Sequence, residues 1–225
     1  MKQIVAIDGP SGSGKSTVAA MLSKKLGYIH LDTGAMYRVV ALAAALDNTL
    51  YDDSNRLDEL CERIQIDMRQ HEDGVSIYLN GRDVTDEIRS PEMSLGSSAV
   101  SSVPEVRSHM VRLQREIGSS GGIVAEGRDM GTVVFPDTPA KFYLDASPDE
   151  RARRRWQQLK DMGMNEDSDK VRMEMEERDQ KDATREHSPL KRADDAIHID
   201  TTGMTIDQVV EELAGQVKEL EGSGA

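Results

Sequence analysis

The chain has 225 residues and a formal net charge of −13, with 37% hydrophobic and only 4% aromatic residues. Such acidity disfavours general affinity for nucleic acid or anionic membrane, and the shortage of aromatics disfavours a binder that stacks single strands. The length suits one α/β domain with an insertion, or two small domains.

A single cysteine, Cys61, excludes an internal disulfide and fits a reducing compartment. No signal peptide is visible at the start, and the longest apolar run, Val39 to Leu46, is too short to span a bilayer. A cytoplasmic protein is expected.

Ile4 to Asp8 reads as a short buried strand, and Val18, Leu22 and Leu26 mark a helix over Val18 to Leu26. Between them, Gly9, Pro10, Ser11, Gly12, Ser13, Gly14, Lys15 and Ser16 match G-x-x-x-x-G-K-[ST] at every fixed position. Glycines let successive backbone N–H groups turn inward around a phosphate, and the following helix aims its positive end at the same point. Lys15 can reach the outer phosphates and the Ser16 hydroxyl can ligate Mg²⁺. The loop therefore points to a nucleoside triphosphate without saying what becomes of it.

Tyr28 to Asp32 reads as a second strand, ending at a Thr33-Gly34 turn with Arg38 close behind. A helix over Val39 to Leu46 and an acidic stretch, Asp52 to Glu62, follow. "VSIYLNGRDV" reads as a hairpin with Asn80-Gly81 at its turn. Ser102 and Glu105 form a capping box ahead of a helix whose face is Val106, Met110, Leu113 and Ile117. Ile123 to Ala125, Lys141 to Asp145 and Ala196 to Asp200 are further strands. Arg128 and Asp129 follow the first of these, between Gly127 and Gly131, where a loop at a strand end is a common functional position.

"SPDERARRRW" opens a helix, with Ser147 as cap, Pro148 in the first turn and Glu150 closing the box. No acidic residue interleaves the arginines from Arg151 to Arg155, so an anion such as a triphosphate is expected to offset their repulsion. "KDMGMNEDSD" after it has the look of a mobile lid. One face of the next helix runs Val171, Met175, Arg178, Asp182, Arg185, apolar and then charged. That pattern fits either a ladder of surface ion pairs or a helix whose far end looks into a polar cleft. The last helix turns Ile206, Val209, Val210, Leu213, Val217 and Leu220 inward. Strands alternating with helices imply a parallel sheet covered on both faces, with ligands at its carboxyl end.

"DGPSGSGKST", "LDTGAMYR", "GRDMGTVVFPD", "SPDERARRR", "ERDQKDATRE" and "PLKRADDAIHIDTTG" occur in that order. Together they resemble the bacterial cytidylate kinases, from about residue 4 to 215. The resemblance implies a phosphate-loop α/β fold with a parallel five-stranded sheet flanked by helices, and transfer of the γ-phosphoryl group of ATP, with Mg²⁺, to CMP or dCMP. It implies a core of residues 1–37 and 102–220, a monophosphate-binding insertion over 38–101, an Arg-rich lid over 151–170 and a tail over 221–225. Arg38 and Arg128 would hold the CMP phosphate; Thr33, Arg107, Asp129 and Arg185 would surround the cytosine; Ser98, Arg178 and Asp182 would hold the sugar. The loop from Gly9 to Thr17 would bind ATP with Arg151 and Arg154, and Lys15, Arg38, Arg128 and Arg155 would act on the transferred group.

Asp8 and Asp32, at strand ends, are candidates to support the metal through water. A monomer is expected, with ATP and the monophosphate as its partners and neither nucleic acid nor membrane. Other small-acceptor kinases and nucleotide-dependent switches share the loop, although the chain has no Asn-Lys pair for a guanine-reading N-K-x-D motif.

Overall fold

The computed structural model describes residues 2–71 and 74–223. In chain order the elements are β1 (Ile4–Asp8), α1 (Lys15–Leu26), β2 (Ile29–Asp32), α2 (Thr33–Leu46), α3 (Ser54–Arg63), β3 (Ile66–His71), β4 (Gly74–Leu79) and β5 (Arg82–Asp83). There follow a 3₁₀ turn at Glu87–Arg89, α4 (Pro91–Val100), α5 (Pro104–Gly118), β6 (Ile123–Gly127), a π turn at Met130–Val134 and β7 (Ala140–Asp145). The chain closes with α6 (Pro148–Asp161), α7 (Ser168–Thr184), β8 (Ile197–Asp200) and α8 (Ile206–Ser223). Five strands make one all-parallel sheet in the order β2-β6-β1-β7-β8, as the alternating pattern predicts.

The chain forms two compact units, Met1–Tyr28 with Gly121–Ala225, and Ile29–Ser120. In the first, Val5, Ile7, Val124, Phe142 and Leu144 of the sheet pack under Val18 and Leu22 of α1 and Val209, Leu213 and Val217 of α8. The strands are hydrophobic almost throughout because both of their faces are covered. A smaller cluster joins α6 to α7 through Ala152, Leu159, Val171 and Met175, with Trp156 and Met164 against it.

The second unit buries Val39, Val40 and Ala44 of α2 with Leu57 and Leu60 of α3 and Val106 and Met110 of α5. Its small sheet, in the order β3-β4-β5, is antiparallel. Leu79 pairs with Arg82 across the predicted Asn80-Gly81 turn, where φ is 51° and 80°. Two positive φ values are what a two-residue turn between twisted strands requires. Cys61 is buried on α3, which pushes its thiol up to about 11 and leaves it a packing residue.

Several local expectations need correction. Ser102 does not cap α5: the helix starts at Pro104 with Val103 as its flanking residue, and the Ser102 hydroxyl donates to Ala99 O at 2.7 Å. Pro104 fixes φ for a first helical position and holds Val103 extended, so the boundary falls one residue later than expected. Thr33-Gly34 is not a turn but the first turn of α2, capped by Asp32, whose carboxylate accepts from Ala35 N at 2.8 Å. α1 begins at Lys15 rather than Val18, because Lys15, Ser16 and Thr17 carry no apolar period. The acidic stretch is mostly α3, and β3 and α4 had no signal strong enough to read.

Candidate active site

In the first unit, Asp8 at the end of β1 lies level with Gly127 on β6 and Tyr143 on β7, and Asp145 on β7 is level with Asp200 on β8. The loops after β1, β6, β7 and β8 therefore leave the same end of the sheet. This is the carboxyl end, where open α/β sheets bind their ligands.

The first of these loops is the glycine-rich one. Gly9 stands at φ 148°, and a Cβ there would lie 2.0 Å from Leu144 O, so no other residue fits. Gly14 stands at φ 90° ahead of α1 with no side-chain cap, which leaves the first N–H groups of the helix facing the loop. Lys15 is buried, and its ammonium donates to Pro10 O at 2.6 Å and Ser13 Oγ at 3.3 Å. Burial, reinforced by the guanidinium of Arg128, pulls its pKa down to about 7. Arg178 adds to that repulsion, while Glu126 and Asp8 oppose it. Thr17 is exposed on the first turn of α1.

Two carboxylates that sequence reasoning did not use, or used otherwise, support this region. Ser16 Oγ donates to Glu126 Oε2 at 2.8 Å, so the loop hydroxyl and the last carboxylate of β6 form one oxygen pair. Asp8 accepts from Met130 N and Gly131 N, both at 2.8 Å, and so holds the π turn that follows Asp129. Burial pushes its carboxyl up to about 6 despite those two bonds.

Arg128 and Asp129 leave β6 directly. Arg128 Nε donates to Asp182 Oδ2 at 3.0 Å, and Asp129 is 3% exposed with its backbone carbonyl accepting from Val133 N and Val134 N. Asp182 is buried, which alone would push its carboxyl up. The guanidiniums of Arg128, Arg178 and Arg185 outweigh that and hold it below the ordinary range. The charged half of α7 thus faces a polar region within this unit rather than solvent.

The arginines of α6 find partners inside the chain. Arg153 and Arg154 both bond Glu150, and Arg154 also reaches Thr201 O at 2.7 Å. Arg155 Nη1 donates to Gln158 Oε1 at 2.8 Å. Arg151 donates to Ala146 O and Ser11 O, both at 3.1 Å, and to Asp179. Glu150, one residue outside the run, and Asp179, far along the chain, supply the negative charge that the run itself lacks.

The second unit carries the remaining candidates. Arg38 Nη2 donates to Asp32 Oδ2 at 3.1 Å, and so is oriented by the same carboxylate that caps α2. Thr33 is buried at the start of α2. Arg107 is 4% exposed on α5, with Nη1 on Ser101 O at 3.1 Å and its guanidinium over the Tyr37 ring. Ser98 lies on α4, its carbonyl accepting from Ser101 Oγ at 3.0 Å.

A parallel sheet, a glycine-rich loop closing on a helix, a buried lysine and arginines converging on the same sheet end define a phosphate-loop protein of the nucleoside monophosphate kinase fold. The family model for cytidylate kinase matches residues 5–219, and the chain belongs to that family. It is 47% identical to a cytidylate kinase of Geobacter sulfurreducens, over 97% of this chain and 94% of that one. It is 50% identical to that of Syntrophotalea carbinolica, over 96% and 92%, and 45% identical to that of Limosilactobacillus reuteri, over 96% of each. A crystal structure of an uncharacterized protein from Eubacterium ventriosum shares the fold, with a TM-score of 0.55 at 12% identity over 96% of this chain and 99% of that one.

Proposed function

We propose that this chain transfers the γ-phosphoryl group of ATP to CMP or dCMP, giving ADP and the corresponding diphosphate. The observation that carries the reading is Lys15, buried beside Arg128 and Arg178 with its pKa pulled to about 7. Cations crowded in a dry site are costly until an anion of comparable charge arrives, and a triphosphate meeting a monophosphate supplies it.

The acceptor oxygen of a monophosphate is already ionised, so no general base is needed. Alignment and charge stabilisation carry the reaction. In this reading the loop from Gly9 to Thr17 holds the donor phosphates, with Arg154 and Arg155 beside them and Arg151 acting through the loop. Lys15, Arg38, Arg128 and Arg155 bear on the transferred group. Arginine suits that work because its planar fork meets phosphate with two bonds.

Thr33, Arg107, Asp129 and Arg185 are proposed for the base, and Ser98, Arg178 and Asp182 for the sugar. Cytosine offers an amine donor where uracil offers a carbonyl. A carboxylate such as Asp129 accepts from the first and opposes the second, which costs about 1–3 kcal/mol.

Ser16 Oγ and Glu126 Oε2, 2.8 Å apart, are oxygen donors of the kind a hard divalent cation takes, so they fit Mg²⁺. When bound, Mg²⁺ would neutralise donor phosphate charge and help orient it. Among the described residues no helix is long and apolar enough to cross a membrane. The acidic chain and the single buried thiol support a monomer acting in the cytoplasm on small molecules, without nucleic acid or membrane as partner.

Lys15→Met tests the reading. Turnover should fall below detection while CMP binding, read by calorimetry, persists. Ordinary turnover in that variant would remove the loop from the chemistry.

A further inference from the structure

The phosphate loop has one stretch, Ser11 and Gly12, whose main chain is held from outside by two helices. Ser11 N lies 3.4 Å from Asp179 Oδ1, and Ser11 O accepts from Arg151 Nη1 at 3.1 Å. The same Arg151 nitrogen donates to Asp179 Oδ2, which closes a ring of three groups around one residue. Gly12 packs directly against the same helices: a Cβ there would come within 2.9 Å of both Arg151 O and Met175 Cε, and its φ is 75°. The ion pair is shielded, with side-chain exposures of 10% for Arg151 and 18% for Asp179.

Three residues beyond Asp179 on α7, Asp182 bonds Arg128 at 3.0 Å. Positions i and i+3 are neighbours on a helix surface. One face of α7 therefore carries a carboxylate to the donor loop and, next to it, a carboxylate to an arginine proposed for the acceptor phosphate.

We propose that Asp179 is a positioning residue. With Arg151 it fixes the Ser11–Gly12 tip of the phosphate loop, and through α7 it ties that tip to Asp182 and Arg128, so that donor and acceptor nucleotides reinforce one another's binding. The inference rests on the kinase reading above. It gives Arg151 work on the loop backbone, to which its guanidinium is directed. Neither residue was placed there by sequence pattern, because Asp179 stands 168 residues from Ser11.

The test is Asp179→Asn, which keeps the shape and removes the charge. The KM for ATP should rise about tenfold or more, the size expected for weakening charge-assisted bonds to a loop that must stay ordered. CMP binding without ATP should stay within about twofold, while at saturating ATP it should weaken by the factor through which ATP tightens CMP in the wild type. In calorimetry, the tightening of a non-hydrolysable ATP analogue by CMP should shrink toward none. Asp53→Ala serves as control. It removes the side-chain cap of α3, which accepts from Arg56 N at 3.1 Å, and should lower the melting temperature without moving the KM for ATP.

An Asp179→Asn enzyme with wild-type KM for ATP and intact coupling would overturn the proposal. So would equal effects on both nucleotides that the cap variant reproduces, since those report stability alone. Wild-type protein that does not phosphorylate CMP would instead defeat the kinase reading, so the two failures are distinguishable.

Discussion

Asp8 shows how a single residue can serve the site through the backbone it holds. Both of its oxygens hold backbone N–H groups of the turn after Asp129, and burial pushes its carboxyl from 3.8 up to about 6. Between those two values the native chain retains a proton that the unfolded chain has lost. Stability therefore falls as pH rises through that window, by roughly 3 kcal/mol at most. Urea titrations at intervals from pH 4 to 6 should show this fall in the wild type and a flatter profile for Asp8→Asn. An unchanged slope in the variant would mean that Asp8 does not carry the proton.

The residues that were legible in the sequence are those whose chemistry is local. Gly9 to Thr17 form a loop and its helix start within nine consecutive positions, so spacing alone reveals them. Glu126 and Asp179 escaped because their partners are remote: Ser16 is 110 residues from Glu126, and Ser11 is 168 from Asp179. Asp8 was noticed, but as a metal supporter. Only the structure shows its oxygens occupied by the backbone of the π turn.

Among the elements, α6 and α7 matter most for the site, because they meet the phosphate loop and hold few other apolar contacts. Their shared cluster is Ala152, Leu159, Val171 and Met175 with Trp156 and Met164. Met175 also touches the space beside Gly12. Met175→Ala should therefore cost about 2 kcal/mol, at the low end for a buried truncation because the cluster is small and can collapse. Chemical denaturation checks the magnitude. A cost near zero would mean that this pair is held by its ion pairs instead.

The start of α6 was readable from its cap, and so was the switch from apolar to charged along one face of α7. A helix boundary was legible where the cap residue directly precedes the proline, as at Ser147 before Pro148, with the Ser147 hydroxyl accepting from Glu150 N. It misled where another residue stands between, as at Ser102, with Val103 before Pro104. The second unit was hardest to read, since α4 mixes serine, glycine and apolar residues without a clear period and β3 alternates weakly.

At the scale of the whole molecule, the parallel sheet and the cytidylate kinase resemblance were both legible. Alternating strands and helices gave the first, and six motifs in fixed order gave the second, which the family match over residues 5–219 bears out. The net charge of −13 makes the gathered arginines more telling, because cations are held together only where the chain supplies carboxylates or a ligand supplies phosphate. The central claim is the choice of acceptor.

The measurement that tests it is ADP release with MgATP against CMP, dCMP, UMP, AMP, dTMP, GMP and shikimate in parallel. Release should be fastest with CMP and dCMP, about 5- to 200-fold slower with UMP as the hydrogen-bond mismatch at Asp129 requires, and absent without an acceptor. Release led by any other acceptor, or none at all despite tight ATP binding, would contradict the account.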